Sequence, residues 1–190
     1  SDTLGSKSVA VGRTALSAQN FTTATDAFNV AVGYDAGAAV TTGTFNSLVG
    51  GLAGDAFTDA DYNTALGYQA LTSDTLGSLS VAIGGFALSA QNFTTATNSF
   101  NTAVGYTAGA AVTTGIRNTL IGALAGDALT DADLNVAVGE QALSLDTLGS
   151  KSTAVGTIAL ANQNFTTATD AHNTAVGYAA GVAVTTGVQN

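Results

Sequence analysis

The sequence predicts an all-β fold, a parallel β-solenoid or β-roll, and three observations predict it. A glycine recurs at fixed intervals, at Gly12, Gly33, Gly50, Gly67, Gly84, Gly105, Gly122, Gly139, Gly156 and Gly177. The positions around it keep their residue type from one copy to the next. The composition is also skewed to small residues. Apolar residues make up 46% of the chain, charged residues only 9%, and Pro, Cys, Met and Trp are absent. Ordinary soluble domains carry roughly 25% charged residues.

The glycine spacings read 21, 17, 17, 17, 21, 17, 17, 17 and 21, so four units build a higher repeat of 72 residues. The segment DTLGS marks that repeat, starting at Asp2, Asp74 and Asp146. A column can stay this strict only if every unit meets the same surroundings. Stacked coils supply them, because one 17-residue coil cannot bury its own apolar side whereas neighbours about 4.8 Å apart can. A helix pair needs more than roughly 30 residues per repeat and tolerates glycine poorly. About ten coils give one continuous solenoid over residues 1–190, a rod roughly 50 Å long. The chain is expected to be an excerpt of a longer fibre.

Each element follows from its column. The residue before each glycine is always aliphatic, from Val11 and Val32 through Leu66 and Ile83 to Val176. This short β-branched run reads as a strand. Its aliphatic residue is expected inside, where each buried side chain contributes about 1.5–3 kcal/mol. The glycine then lets the chain turn with positive φ. Two stretches compete for a second strand, Ala38–Thr42 (AAVTT) and Asn20–Thr25 (NFTTAT).

Four residues before the glycine stands Asn (29, 46, 63, 101, 118, 135, 173) or Ser (8, 80, 152). Stacked Asn side chains would form an amide ladder that the Ser rungs interrupt. Alanine fills two further columns, before and after the glycine. These would either pack a narrow interior or form a smooth strip where chains meet.

The column just before Asn or Ser varies and is placed outside: it reads Phe45, Arg117 and Gln189 at one rung, Phe28, Phe100 and His172 at another, and Lys7, Leu79 and Lys151 at a third. The position after each glycine also drifts at some rungs (Arg13, Gly85, Thr157; Tyr68, Glu140) but stays Tyr at Tyr34, Tyr106 and Tyr178. The 21-residue coils carry extra residues within SAQNFTTAT (Ser17–Thr25, Ser89–Thr97) and ANQNFTTAT (Ala161–Thr169), a ridge on every fourth coil.

Chemistry is sparse in these columns. There is one histidine, His172, and no cysteine, so no positioned base recurs and no catalytic residue, metal-bound cofactor or other cofactor is expected. Thirteen acidic against four basic residues leave a net charge of −9, which opposes nucleic acid as a partner. No apolar run is long enough for a membrane helix, so no membrane insertion is expected in this segment.

Asp55, Asp59 and Asp61, with their copies Asp127, Asp131 and Asp133, offer oxygens that calcium could use, against the simpler reading of a solvated acidic turn. Asn20, Asn92 and Asn164 begin Asn-Phe-Thr triplets that fit the glycosylation pattern. Thr-Ala-Thr recurs only in the 21-residue coils, too rarely for an ice-binding array. Phe28, Phe45, Tyr62 and Phe100 are candidate exposed contacts for sugars or a neighbouring fibre.

At NTAVGY (Asn101–Tyr106 and Asn173–Tyr178), NVAVGY (Asn29–Tyr34), SVAVG (Ser8–Gly12) and SVAIG (Ser80–Gly84) the chain resembles a known family. It is similar to the YadA-like head repeats of trimeric autotransporter adhesins and to related repeats of phage and bacterial tail-fibre proteins. Coils of this length look closer to the fibre proteins. The resemblance implies a left-handed parallel β-roll, three chains side by side, and an extracellular fibre on a cell surface or virion. Such a fibre would extend, present contact residues and touch a cell-surface glycan or matrix receptor. A single-chain solenoid forming a cell-surface filament, and a glycan- or calcium-binding module, are the alternatives.

Overall fold

The computed structural model describes residues 4–190, so Asp2 and Thr3 of the first DTLGS segment lie outside the described residues. The fold is an all-β parallel solenoid of about ten coils, with no helix among those residues. Ten strands of three residues form one continuous sheet in which each strand pairs with the next coil's strand. They are β2 (Val9–Val11), β4 (Val30–Val32), β5 (Ser47–Val49), β6 (Thr64–Leu66), β8 (Val81–Ile83), β10 (Thr102–Val104), β11 (Thr119–Ile121), β12 (Val136–Val138), β14 (Thr153–Val155) and β16 (Thr174–Val176). Every pairing is parallel and keeps like with like: Val32 faces Val49, and Val104 faces Ile121.

The strands are phased opposite to the sequence expectation. Ala31, Leu48, Ala65, Ala82 and Ala103, two residues before the glycine, are fully buried. The aliphatic column next to the glycine points outward, with Leu66 45% and Ile121 39% exposed. The expected burial energy of that column therefore does not apply. Three residues allow one inward position, and a 17-residue coil is too narrow for a branched side chain from every strand. Alanine fits, and it fills the interior from both of its columns, since Ala36, Ala53, Ala70 and Ala87 are also fully buried. Neither alanine column forms an exposed strip.

Larger side chains fill what alanine leaves, in a complementary pattern. Four residues after the ladder glycine stands Leu71, Leu88 or Leu143 in some coils and Gly37, Gly54 or Gly109 in others. A β-carbon on Gly37 would lie 2.7 Å from Leu48 Cδ1, and one on Gly54 would lie 2.6 Å from Phe57 Cε2. Leu48 and Phe57 occupy the volume that leucine takes elsewhere, so packing stays dense along the rod.

The ladder glycines have a second reason for being glycine. Gly105 has φ 143°, and a β-carbon there would fall 2.4 Å from the Gly122 carbonyl oxygen of the next coil. Both the turn and the close stacking exclude a side chain. After this glycine the chain runs through successive i→i+3 turns, such as Ala15 N–H to Gly12 O and Ser17 N–H to Thr14 O. Residues at i+2 of these turns have φ > 0 even when they carry side chains, as Thr14 (60°) and Leu16 (49°) do. That is the type II arrangement.

Neither expected second strand forms. Ala38–Thr42 lies in these turns and bends. Within Asn20–Thr25 only Thr25 begins a strand, β3 (Thr25–Asp26), which pairs with β1 (Gly5–Ser6). Equivalent two-residue pairs are β7 (Gly77–Ser78) with β9 (Thr97–Asn98), and β13 (Gly149–Ser150) with β15 (Thr169–Asp170).

The amide ladder forms. Asn29 Oδ1 accepts Asn46 N–H at 2.9 Å, Asn46 Oδ1 accepts Asn63 N–H at 3.0 Å, and Asn63 Oδ1 accepts Ser80 N–H at 2.9 Å. Each Nδ2 donates across the coil, Asn46 to Ala60 O at 2.7 Å. The Ser rung breaks the direct link as expected, since Asn101 N–H turns to Ser99 Oγ at 3.4 Å, but a detour closes the gap. Buried Gln91 donates to Ser80 Oγ at 2.9 Å and to Asp74 Oδ2 at 2.6 Å, and accepts from Asn101 Nδ2 at 2.9 Å. Gln163 repeats this at Ser152, Asp146 and Asn173. The 21-residue coil thus supplies the carboxamide that its serine lacks.

Candidate functional site

No pocket opens among the described residues, so any functional chemistry must act from the surface columns. Three surfaces, made of four columns, flank or form the sheet face.

The first column, five residues before the ladder glycine, holds the predicted contact residues. Its members sit at left-handed φ, from Phe28 (51°) and Phe45 (57°) to Arg117 (59°) and His172 (52°). That geometry turns the side chain away from the coil, so Phe, Arg and Gln are tolerated alike. Phe28 and Phe45 stack at 5.2 Å with an 18° interplanar angle, and Phe45 and Tyr62 at 4.8 Å with 2°. Lys7 Nζ caps the stack 5.1 Å from the Phe28 centroid. Three of the four candidates are therefore brought together, and Phe100 is separated from them by the coil carrying Leu79. Both faces of Phe45 are covered by its neighbours, which leaves ring edges to meet a partner.

The second surface is the outer face of the ten-stranded sheet. It carries two columns, one of Val, Thr and Ser (Val30, Ser47, Thr64, Val81, Thr102) and one of Val, Leu and Ile (Val32, Val49, Leu66, Ile83, Val104). Neither column contains a charged residue over its whole length.

The third surface is the column just past the ladder glycine, where the sequence drifts at some rungs and keeps Tyr at others. It reads Arg13, Tyr34, Gly51, Tyr68, Gly85, Tyr106, Ala123, Glu140, Thr157 and Tyr178, so Tyr and Gly alternate from Tyr34 to Tyr106. Tyr34, Tyr68 and Tyr106 are 49%, 54% and 59% exposed. Phe86, one residue further along its coil, stands perpendicular to both Tyr68 (5.4 Å, 85°) and Tyr106 (6.1 Å, 90°). Arg13 lies over the Tyr34 ring at 5.4 Å. The signal that could have found this site was present in the sequence, in the alternation of Tyr with Gly.

The acidic candidates have separate occupations. Asp55 is half-buried and accepts Thr72 Oγ1 at 2.6 Å; burial pushes its carboxyl above the usual range despite that bond. Asp59 accepts Thr42 Oγ1 at 2.6 Å, and Asp61 accepts Thr44 N–H at 2.7 Å. Asp131 accepts Thr114 Oγ1 at 2.6 Å and Asp133 accepts Ile116 N–H at 2.7 Å. Asp127 is raised by burial too, and its Oδ1 has no partner. Among the described residues no three acidic or histidine side chains gather as a metal site would need.

Asn20, Asn92 and Asn164 are all exposed on the ridge. Asn92 Oδ1 accepts Thr75 Oγ1 at 3.2 Å, and Asn164 Oδ1 accepts Thr147 Oγ1 at 3.3 Å. The following Phe93 and Phe165 turn inward and anchor the ridge. Its outer pairing is held by exposed ion pairs, Lys7 with Asp26 and Lys151 with Asp170, which hold both carboxyls below the usual range.

Compared with protein-family models, with curated proteins and with solved structures, the chain has no match.

Proposed function

We propose that this chain is a segment of an extracellular fibre, an adhesin or tail-fibre shaft, whose work is to extend and to hold contact residues at fixed spacing. One observation carries the reading: in-register pairing continues through all ten strands, so the architecture gains length by adding coils of one geometry. Backbone and amide ladders run along the axis beside a continuous apolar interior, as suits a stack whose units touch only their neighbours. The resemblance at NTAVGY and its copies points the same way.

The fibre is a homotrimer, and the uncharged sheet face is the surface on which its chains meet. A chain of charge −9 that keeps both outer strand columns free of charge has one face fit to be covered by itself. The fibre stands on a cell surface or virion, reaching a glycan or matrix partner.

Sedimentation equilibrium or native mass spectrometry tests this. The expected result is three chains per rod, reduced to one by Val104→Asp with Ile121→Asp while the β circular-dichroism signal is retained. A chain that stays monomeric at all concentrations would instead favour the single-chain filament.

A further inference from the structure

We infer that the row Tyr34–Tyr68–Phe86–Tyr106 is a binding platform for a straight, neutral, β-1,4-linked polysaccharide of the cellulose or chitin class. The inference goes beyond the fibre reading and names a ligand for its surface. The row lies past the ladder glycines from the sheet face, so it is a separate surface from the proposed chain contact.

Three features point to this ligand. The first is open ring faces. A sugar stacks its polarised C–H groups on the negative face of an aromatic ring. In the Phe28–Phe45–Tyr62 ladder parallel neighbours take both faces of Phe45 and one face each of Phe28 and Tyr62, and Lys7 lies over Phe28. At Tyr68 and Tyr106 the contacts with Phe86 are perpendicular, and a perpendicular pair covers at most one face of one ring; at Tyr34 one face is covered by Arg13. Tyr68 and Tyr106 therefore keep faces for a ligand while remaining braced by Phe86.

The second feature is spacing. Tyr34, Tyr68 and Tyr106 occupy alternate coils, and Gly51 and Gly85 occupy the coils between them. Tyr68 leans over Gly51: a β-carbon on that glycine would touch Tyr68 Cδ2 at 3.5 Å. Gly85 bears the same relation to Tyr106 Cδ2 at 3.6 Å. A β-carbon there would be in ordinary contact with the ring, and only a longer side chain would compete for its place. Alternate coils are about 9.6 Å apart. A β-1,4-linked chain is a straight ribbon in which successive sugars are flipped, so it presents the same ring face at every second residue. The platform and the ribbon share both their linearity and their period of two units.

The third feature is charge. The chain carries −9, which disfavours polyanionic glycans. Beside the rings stand Asp35, Gln69 and Thr107, one after each tyrosine, as hydrogen-bond partners for sugar hydroxyls.

The test uses the full chain against insoluble cellulose and insoluble chitin in a depletion assay, with cellohexaose and chitohexaose in calorimetry. The expected result is binding to at least one of these polymers, with affinity rising from the disaccharide to the hexasaccharide as a second platform is reached. Tyr68→Ala and Tyr106→Ala should each weaken binding roughly tenfold. Tyr68→Leu and Tyr106→Leu, which keep bulk over Gly51 and Gly85, should weaken it equally, separating loss of the ring from loss of fold. Leu145→Ala, an exposed change elsewhere on the rod, should leave it unchanged. Absence of binding to both polymers overturns the inference. So does binding that survives all four tyrosine variants, or binding lost on Phe45→Ala alone. Chain number by sedimentation is read separately, so failure here and failure of the fibre reading are distinguishable.

Discussion

Asn118 in a central coil gives the sharpest test of the amide ladder. Its N–H and Nδ2 both meet Asn101 Oδ1, at 2.9 and 3.4 Å. Its Oδ1 accepts Asn135 N–H at 3.0 Å, and its Nδ2 donates to Ala132 O at 2.7 Å. Replacing Asn118 by Ser, a residue this same column accepts at Ser80 and Ser152, shortens the side chain out of reach of both. Two buried backbone groups then lose their partners at about 1–3 kcal/mol each, a total of about 2–6 kcal/mol. With a urea slope of about 2 kcal/mol per molar, the unfolding midpoint should fall by roughly 1–3 M. At Ser80 the next rung is met otherwise, Asn101 N–H donating to Ser99 Oγ at 3.4 Å and Asn101 Nδ2 to Gln91 at 2.9 Å; Gln91→Ala, which strands the buried groups of Asp74, Ser80 and Asn101, should be comparably costly. Urea unfolding followed by circular dichroism checks both. A midpoint within roughly 0.3 M of the parent for Asn118→Ser would refute the claim that the carboxamide stitches one coil to the next.

Three further outcomes follow from the same geometry. Gly105→Ala should cost about 3 kcal/mol or more, because its φ of 143° and the Gly122 carbonyl 2.4 Å from the new β-carbon act together; thermal melting reads it. Asp127→Asn should stabilise the fold at neutral pH, since the wild-type carboxylate is half-desolvated with one oxygen unpartnered. The folded-state pKa of Asp127 is raised, so the penalty is present above it and vanishes on protonation. The gain from Asn should therefore shrink as pH falls toward the ordinary value of 3.8, and melting curves across that range would show it. Phe45→Ala breaks two stacked pairs and should lose about 1–3 kcal/mol beyond area burial, measured by chemical unfolding.

What the sequence could reveal depended on whether a column's cause was local or shared. The glycine and asparagine columns were legible because their constraint repeats at every rung: backbone stacked on Gly105, an amide stacked on Asn118. The phase of the strand was not legible. Val-Ala-Val is apolar at all three positions, so alternation cannot say which side faces in, and size suggested the wrong side. The second strand was misplaced because β-branched residues in Ala38–Thr42 sit in turns whose left-handed positions are often filled by Thr, Leu or Asp instead of Gly.

Gln91 was overlooked although it follows Ser80 by eleven residues, as Gln19 follows Ser8 and Gln163 follows Ser152. Its meaning needed the knowledge that the longer coil folds back onto the same ladder. The contact column was legible as exposed, but not that Phe28, Phe45 and Tyr62 would consume each other's faces. That stacking follows from coil spacing acting on neighbours 17 residues apart.

The chain has no cysteine, so a pair of introduced cysteines tests coil stacking directly. Val32 and Val49 are ladder partners, and Ile83 stands three coils from Val32, roughly 14 Å away. The account predicts an intramolecular disulfide in Val32→Cys with Val49→Cys, and none in Val32→Cys with Ile83→Cys. A bridge in the second pair, or failure to form one in the first under oxidising conditions, would contradict it.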